Sequence, residues 1–116
     1  MKLLIFLLMF NVKATQTCTA EITFPDREVK TFLLKDNIIL PNLKLNWKCK
    51  FTQNKESTSY GNRYYSFIAC STNGNKEAFT LGNGDFYNYA KEYYYMVNLY
   101  SGVKAEMIHI VCKLTE

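Results

Sequence analysis

Four cysteines, at positions 18, 49, 70 and 112, follow an N-terminal stretch that reads MKLLIFLLMFNVKA. Lys2 gives that stretch a positive start, residues 3–10 are unbroken apolar, and Val12 and Ala14 place small residues where a signal peptidase reads. A bilayer-spanning helix needs about 20 apolar residues, so the run is too short to anchor the chain. The sequence therefore predicts a cleaved secretion signal over 1–14 and one secreted domain over 15–116. An even number of cysteines in a short secreted chain reads as two disulfides, which limits the fold to one in which strand or loop geometry brings the pairs together.

The remaining 102 residues suit one compact domain. Loss of Lys2 and Lys13 leaves 12 basic against 10 acidic residues, a net of +2, too mild to argue nucleic-acid binding from charge. No Asn-X-Ser/Thr acceptor occurs, and no second long apolar run follows, so the product is expected to be free of N-linked sugar and of the membrane. The cysteines are far apart in sequence, and the lone histidine, His109, cannot complete a zinc site at the usual spacing. Neither a metal nor a cofactor is expected.

Hydrophobic periodicity gives mixed secondary structure. CTAEITF alternates as a strand with Ala20, Ile22 and Phe24 on one face. After Pro25, Val29, Phe32 and Leu33 recur at helical spacing, with Asp26 as an N-cap and Asn37 as a stop, which predicts a helix of about three turns over 26–37. NLKLNWKCKF alternates clearly, with Leu45, Trp47, Cys49 and Phe51 opposite Lys44, Lys48 and Lys50. The polar TQNKESTSYGN reads as a loop or hairpin turn before the strand RYYSFIACST. Pairing of those two strands sets Cys49 against Cys70, which leaves Cys18 for Cys112. The glycines Gly61, Gly74, Gly82, Gly84 and Gly102 read as turn residues.

Six of the nine tyrosines lie in DFYNYAKEYYYMVNLY, residues 85–100. From Tyr93 the pattern alternates: Tyr93, Tyr95, Val97 and Leu99 form one face, and Tyr94, Met96, Asn98 and Tyr100 the other. The first set is expected in the core, and Tyr94, Met96 and Tyr100 form a candidate binding surface. Residues 85–92 fit a strand or a short helical face equally. VKAEMIHIVCKL alternates with Ile108, Ile110, Cys112 and Leu114 inward and His109 outward.

Cys18, Ile22 and Val29 in CTAEITFPDREVKTFLL, together with Cys112 in IVCKLTE, resemble the two ends of the ribonuclease-like effectors secreted by powdery mildew fungi. Gln16 stands where that family usually has an aromatic residue, and Cys49 and Cys70 are additional to its simplest pattern. The resemblance implies an α+β fold, one helix packed on an antiparallel sheet as in small microbial ribonucleases, here stapled by two disulfides. It also implies suppression of plant defence by a secreted monomer that reaches host targets, outside or within host cells.

Catalysis on such a fold has to be judged from its residues. RNA cleavage by 2′-hydroxyl attack needs a base, an acid and a cation; Glu77 or Glu92, His109 and Arg63 are the candidates, and no assembled set is evident. No catalytic residue is assigned. The expectation is a non-catalytic effector that binds a host protein. The alternatives are a weak ribonuclease or RNA binder, and a disulfide-bonded β-sandwich of elicitor or allergen type, which would lack the helix over 26–37.

Overall fold

The computed structural model describes residues 15–40, 43–72, 79–87 and 91–115. The leader, Gly74 and Glu77 lie outside the described residues. Eight strands run in chain order: β1 (Thr15–Thr23), β2 (Val29–Leu34), β3 (Ile39–Leu40), β4 (Trp47–Thr58), β5 (Gly61–Thr72), β6 (Phe79–Tyr87), β7 (Glu92–Ser101) and β8 (Lys104–Thr115). They form two four-stranded antiparallel sheets, sheet A in the order β2-β1-β8-β7 and sheet B in the order β3-β4-β5-β6.

Period-two patterning makes the sandwich. Cys18, Ala20 and Ile22 of β1, Val97 and Leu99 of β7, and Ile108, Ile110 and Cys112 of β8 point inward from sheet A. Cys49 and Phe51 of β4, with Tyr64, Ile68 and Cys70 of β5, point inward from sheet B, and both sets share one core. The two disulfides, Cys18–Cys112 and Cys49–Cys70, each join directly opposed residues of neighbouring strands, with Cα atoms 4.0 Å apart in both. Each bridge lies within one sheet, so burial and hydrogen bonding hold the two sheets together.

The helix expected over 26–37 is absent, and the ribonuclease-like α+β fold is therefore incorrect: the protein is all-β among the described residues. Asp26 does accept a backbone bond, but its Oδ1 takes Glu28 N at 3.0 Å inside a tight turn in which Arg27 has φ 68°. The chain then reverses, and β2 pairs with β1 from Thr23↔Val29 to Cys18↔Leu34. A helix would have to bury Val29 and Leu33 together; both are instead on the outer face of an edge strand, 50% and 58% exposed. Asn37, at φ 62°, belongs to a second turn closed by Ile38 N to Lys35 O at 3.1 Å.

Two further segments differ from the sequence reading. The polar stretch after Phe51 continues as strand, and β4 and β5 pair out to Thr58↔Gly61 around a two-residue loop. The left-handed half of the φ range at Gly61, 115°, makes that tight reversal accessible. Gly82 and Gly84 are strand residues of β6, where a Cβ on Gly84 would come within 2.6 Å of the Tyr93 and Tyr95 rings. Their missing side chains let the edge of sheet B approach β7 of sheet A.

Candidate functional site: the outer face of sheet A

The cross-strand registers arrange the outer face of sheet A in rows. Leu33, Thr19, Val111 and Tyr94 form one; Thr31, Glu21, His109 and Met96 the next; Val29, Thr23, Met107 and Asn98 a third; Ala105 and Tyr100 extend it. Tyr94, Met96 and Tyr100 are 70%, 59% and 64% exposed on edge strand β7; Met107 is exposed on the neighbouring β8, and Val29 and Leu33 on β2 at the opposite edge of the sheet. The structure thus adds Val29, Leu33 and Met107 to the three residues singled out by alternation on β7. Large apolar side chains on a contiguous exposed sheet face are characteristic of interaction surfaces.

Charge on this face is confined. Glu21 and His109 are directly opposed on the two central strands. The Tyr94 ring stands edge-on to His109, centroids 5.9 Å apart, which places the imidazole in an aromatic setting. Lys113 and Glu92 pair at 3.7 Å at one end of the face. Among the described residues Glu21 has no ion-pair partner.

Of the candidates for RNA cleavage, the three among the described residues, Glu92, His109 and Arg63, are not brought together. Glu92 is engaged by Lys113 at the end of β7, four residues along the strand from the position facing His109, roughly 13 Å at strand rise. Arg63 belongs to sheet B, where it meets Glu56 at 3.4 Å and lies over the Tyr65 ring at 4.7 Å. Lys48 and Lys50 are exposed on β4, whereas Lys44 precedes the strand and faces sheet A's first turn. Among the described residues no group of three His, Cys, Asp or Glu side chains is placed to hold a metal ion.

A second polar cluster fastens the sheets at one end of the sandwich. Lys44 Nζ donates to Asp26 Oδ2 at 2.8 Å and to Glu28 Oε2 at 2.6 Å, 4.6 Å from the centre of the Phe24 ring. The ammonium holds both carboxyls below their ordinary pKa, and they in turn raise that of Lys44. Glu106, fully buried on β8, accepts the backbone N–H of Lys44 and, at 3.0 Å, that of Leu45 through Oε1. Its Oε2 is buried without a hydrogen-bond partner. Burial pushes the Glu106 carboxyl up in pKa, against the two amide donors. The cluster is a structural tie between β8 and the segment leading into β4; the inward register of Ile108 and Ile110, extended two residues, is the sequence signal that places Glu106 inside.

Among the described residues these features define a class: a small all-β sandwich with one disulfide in each sheet and an outer face on which exposed tyrosine, methionine and aliphatic side chains stand among polar ones. No protein-family model, curated protein or solved structure matches the chain.

Proposed function

We propose that the protein is a secreted, non-catalytic binding protein that works through protein–protein contact across the outer face of sheet A. The observation that carries this reading is the exposure of Tyr94, Met96 and Tyr100 on the same sheet face as exposed Val29, Leu33 and Met107, a face that no other described strand covers. Tyrosine offers such a surface apolar area and a hydroxyl at little conformational cost, and methionine adapts to irregular partners. The two disulfides are compatible with an extracellular protein. Of what the fungal-effector resemblance implied, the binding role is retained, with a protein as partner, and the ribonuclease-like frame is not.

The test pairs a binding measurement with a chemical one. A Tyr94→Ser, Tyr100→Ser double variant should fold as well as the wild type, within about 0.5 kcal/mol for exposed positions. It should lose the protein partners that the wild type retains in a pull-down. Total RNA incubated with the wild type should stay intact. RNA hydrolysis abolished by His109→Ala would overturn the reading.

A further inference from the structure

Resting on the reading of this face as a protein-docking surface, we infer that its occupant is a second copy of this chain, packed face to face about a twofold axis. The axis runs parallel to the strands, midway between β1 and β8. The arrangement departs from the monomer expected from the sequence, and the cross-strand registers supply the argument.

Rotation about that axis exchanges β1 with β8 and β2 with β7 across the interface while keeping each row in place. Glu21 and His109 share a row on the two central strands, so Glu21 lies over the partner subunit's His109, and the reciprocal pair forms beside it. The one carboxylate of the face without an ion-pair partner among the described residues thus gains a cation or hydrogen-bond donor, twice. In the adjoining row Leu33 of the β2 edge lies over the partner's Tyr94, and Thr19 over the partner's Val111. Leu33 and Tyr94 therefore cover each other, while in the other two rows Met96 meets the partner's Thr31 and Val29 the partner's Asn98. The Lys113–Glu92 pair falls at the end of the face, where a polar rim belongs. A twofold axis perpendicular to the strands would instead stack Glu21 on its own copy, so charge selects the strand-parallel arrangement.

Two aligned sheets pack about 10 Å apart at a small angle, which a four-stranded face accommodates. Four strands at ~4.8 Å spacing and seven residues at ~3.4 Å rise give a face of roughly 450 Å². Stable interfaces remove about 800 Å² of accessible surface per partner, so a face of this size corresponds to the weak, reversible end of the range. Half-association at roughly 10–100 µM is the expected regime.

Sedimentation equilibrium of the disulfide-intact protein across about 1–500 µM should show a twofold rise in mass. Glu21→Lys places a cation over the partner's His109, and His109→Glu places two carboxylates together; each variant alone should sediment as a monomer over the same range. An equimolar mixture of the two should dimerise again, because the introduced lysine of one chain then meets the introduced glutamate of the other, and the native Glu21 meets the native His109. Within each single chain the neighbouring pair stays mismatched, so only contact between chains can produce that rescue. A wild type that stays monomeric, variants that still associate, or a mixture that fails to recover would each overturn the inference. If the wild type is monomeric yet Tyr94→Ser, Tyr100→Ser abolishes capture of another protein, the dimer fails and the binding face stands. If that capture is also unaffected, the reading of the face fails as well.

Discussion

The Tyr93 hydroxyl on β7 stands 2.5 Å from Ser66 Oγ on β5, a buried polar contact between the two sheets. A phenol carries one proton, and Gln16 Oε1, 2.7 Å away, can only accept it. The Tyr93 hydroxyl is thus the donor shared between Ser66 Oγ and Gln16 Oε1, and the Tyr95 hydroxyl lies 3.0 Å from Ser66 Oγ. Tyr95, Ser66, Tyr93 and Gln16 form one connected network between the sheets.

Tyr93→Phe would remove the donor to both Ser66 Oγ and Gln16 Oε1, and is expected to cost about 1–3 kcal/mol. Tyr95→Phe removes only an incoming donor and should cost less, about 1 kcal/mol. Urea unfolding of both variants checks the order; equal losses would show that Tyr93 does not hold both partners. Burial pushes the Tyr95 phenol up to about 12, so its proton stays in place throughout the neutral range.

The approach of β6 to β7 depends on what two glycines lack. Alanine at Gly82 would set a methyl against Val97, and at Gly84 against the Tyr93 and Tyr95 rings at 2.6 Å. Each substitution should destabilise by about 1–3 kcal/mol through overpacking. Gly102→Ala meets nothing within 4 Å but sits at φ 64°, so it probes backbone strain alone and should cost on the order of 1 kcal/mol. Thermal melts in which Gly84→Ala is neutral would show that the sheets do not meet there.

The strands whose apolar residues alternate against polar ones were legible in the sequence: β1, the first half of β4, β7 and β8. Cysteine pairing followed from the β4–β5 hairpin, because opposed positions leave one remaining pair. Edge strand β2 was not legible, since Val29, Phe32 and Leu33 satisfy a helical period and its burial is too slight to enforce a period of two. The same ambiguity hid the β2 edge of the candidate face, because a helical period puts Val29 and Leu33 in the core. The far end of the β4–β5 hairpin is half-exposed and polar on both sides, so composition there resembles a loop. Glycines in β6 read as turns because the tyrosines that need their space are distant in sequence.

Two pH windows should separate the carboxylates of the inter-sheet cluster. The native state holds the Glu106 proton to higher pH than the unfolded chain does, so stability from this group falls as pH rises above 4.5 through the raised native value. Glu106→Gln removes that loss, and its stability relative to the wild type should improve as pH rises through the window. Asp26 and Glu28 act in the opposite sense. Their native values lie below 3.8 and 4.5, so their contribution is present above those values and is lost as pH falls through the lowered ones. Lys44→Met should therefore destabilise more near neutrality than in strong acid. Chemical denaturation at a series of pH values reads both trends, and a pH-independent Glu106→Gln difference would remove the first.

The two bridges should differ in strength for a reason that topology sets. Cys18–Cys112 closes a loop with a sequence separation of 94 and Cys49–Cys70 one of 21. Constraint of the unfolded chain then contributes about 4.7 kcal/mol for the long loop and about 3.4 kcal/mol for the short one. Both pairs are buried, so replacement by alanine exposes comparable cavities, and the difference of roughly 1 kcal/mol should survive in the double-alanine variants. Because each bridge joins strands already paired within one sheet, neither loss should separate the sheets, and both variants should keep a cooperative transition. Urea titration of Cys18→Ala, Cys112→Ala beside Cys49→Ala, Cys70→Ala measures the gap. A larger loss from the short-loop pair would mean that the β4–β5 hairpin, rather than closure of the chain ends, limits stability.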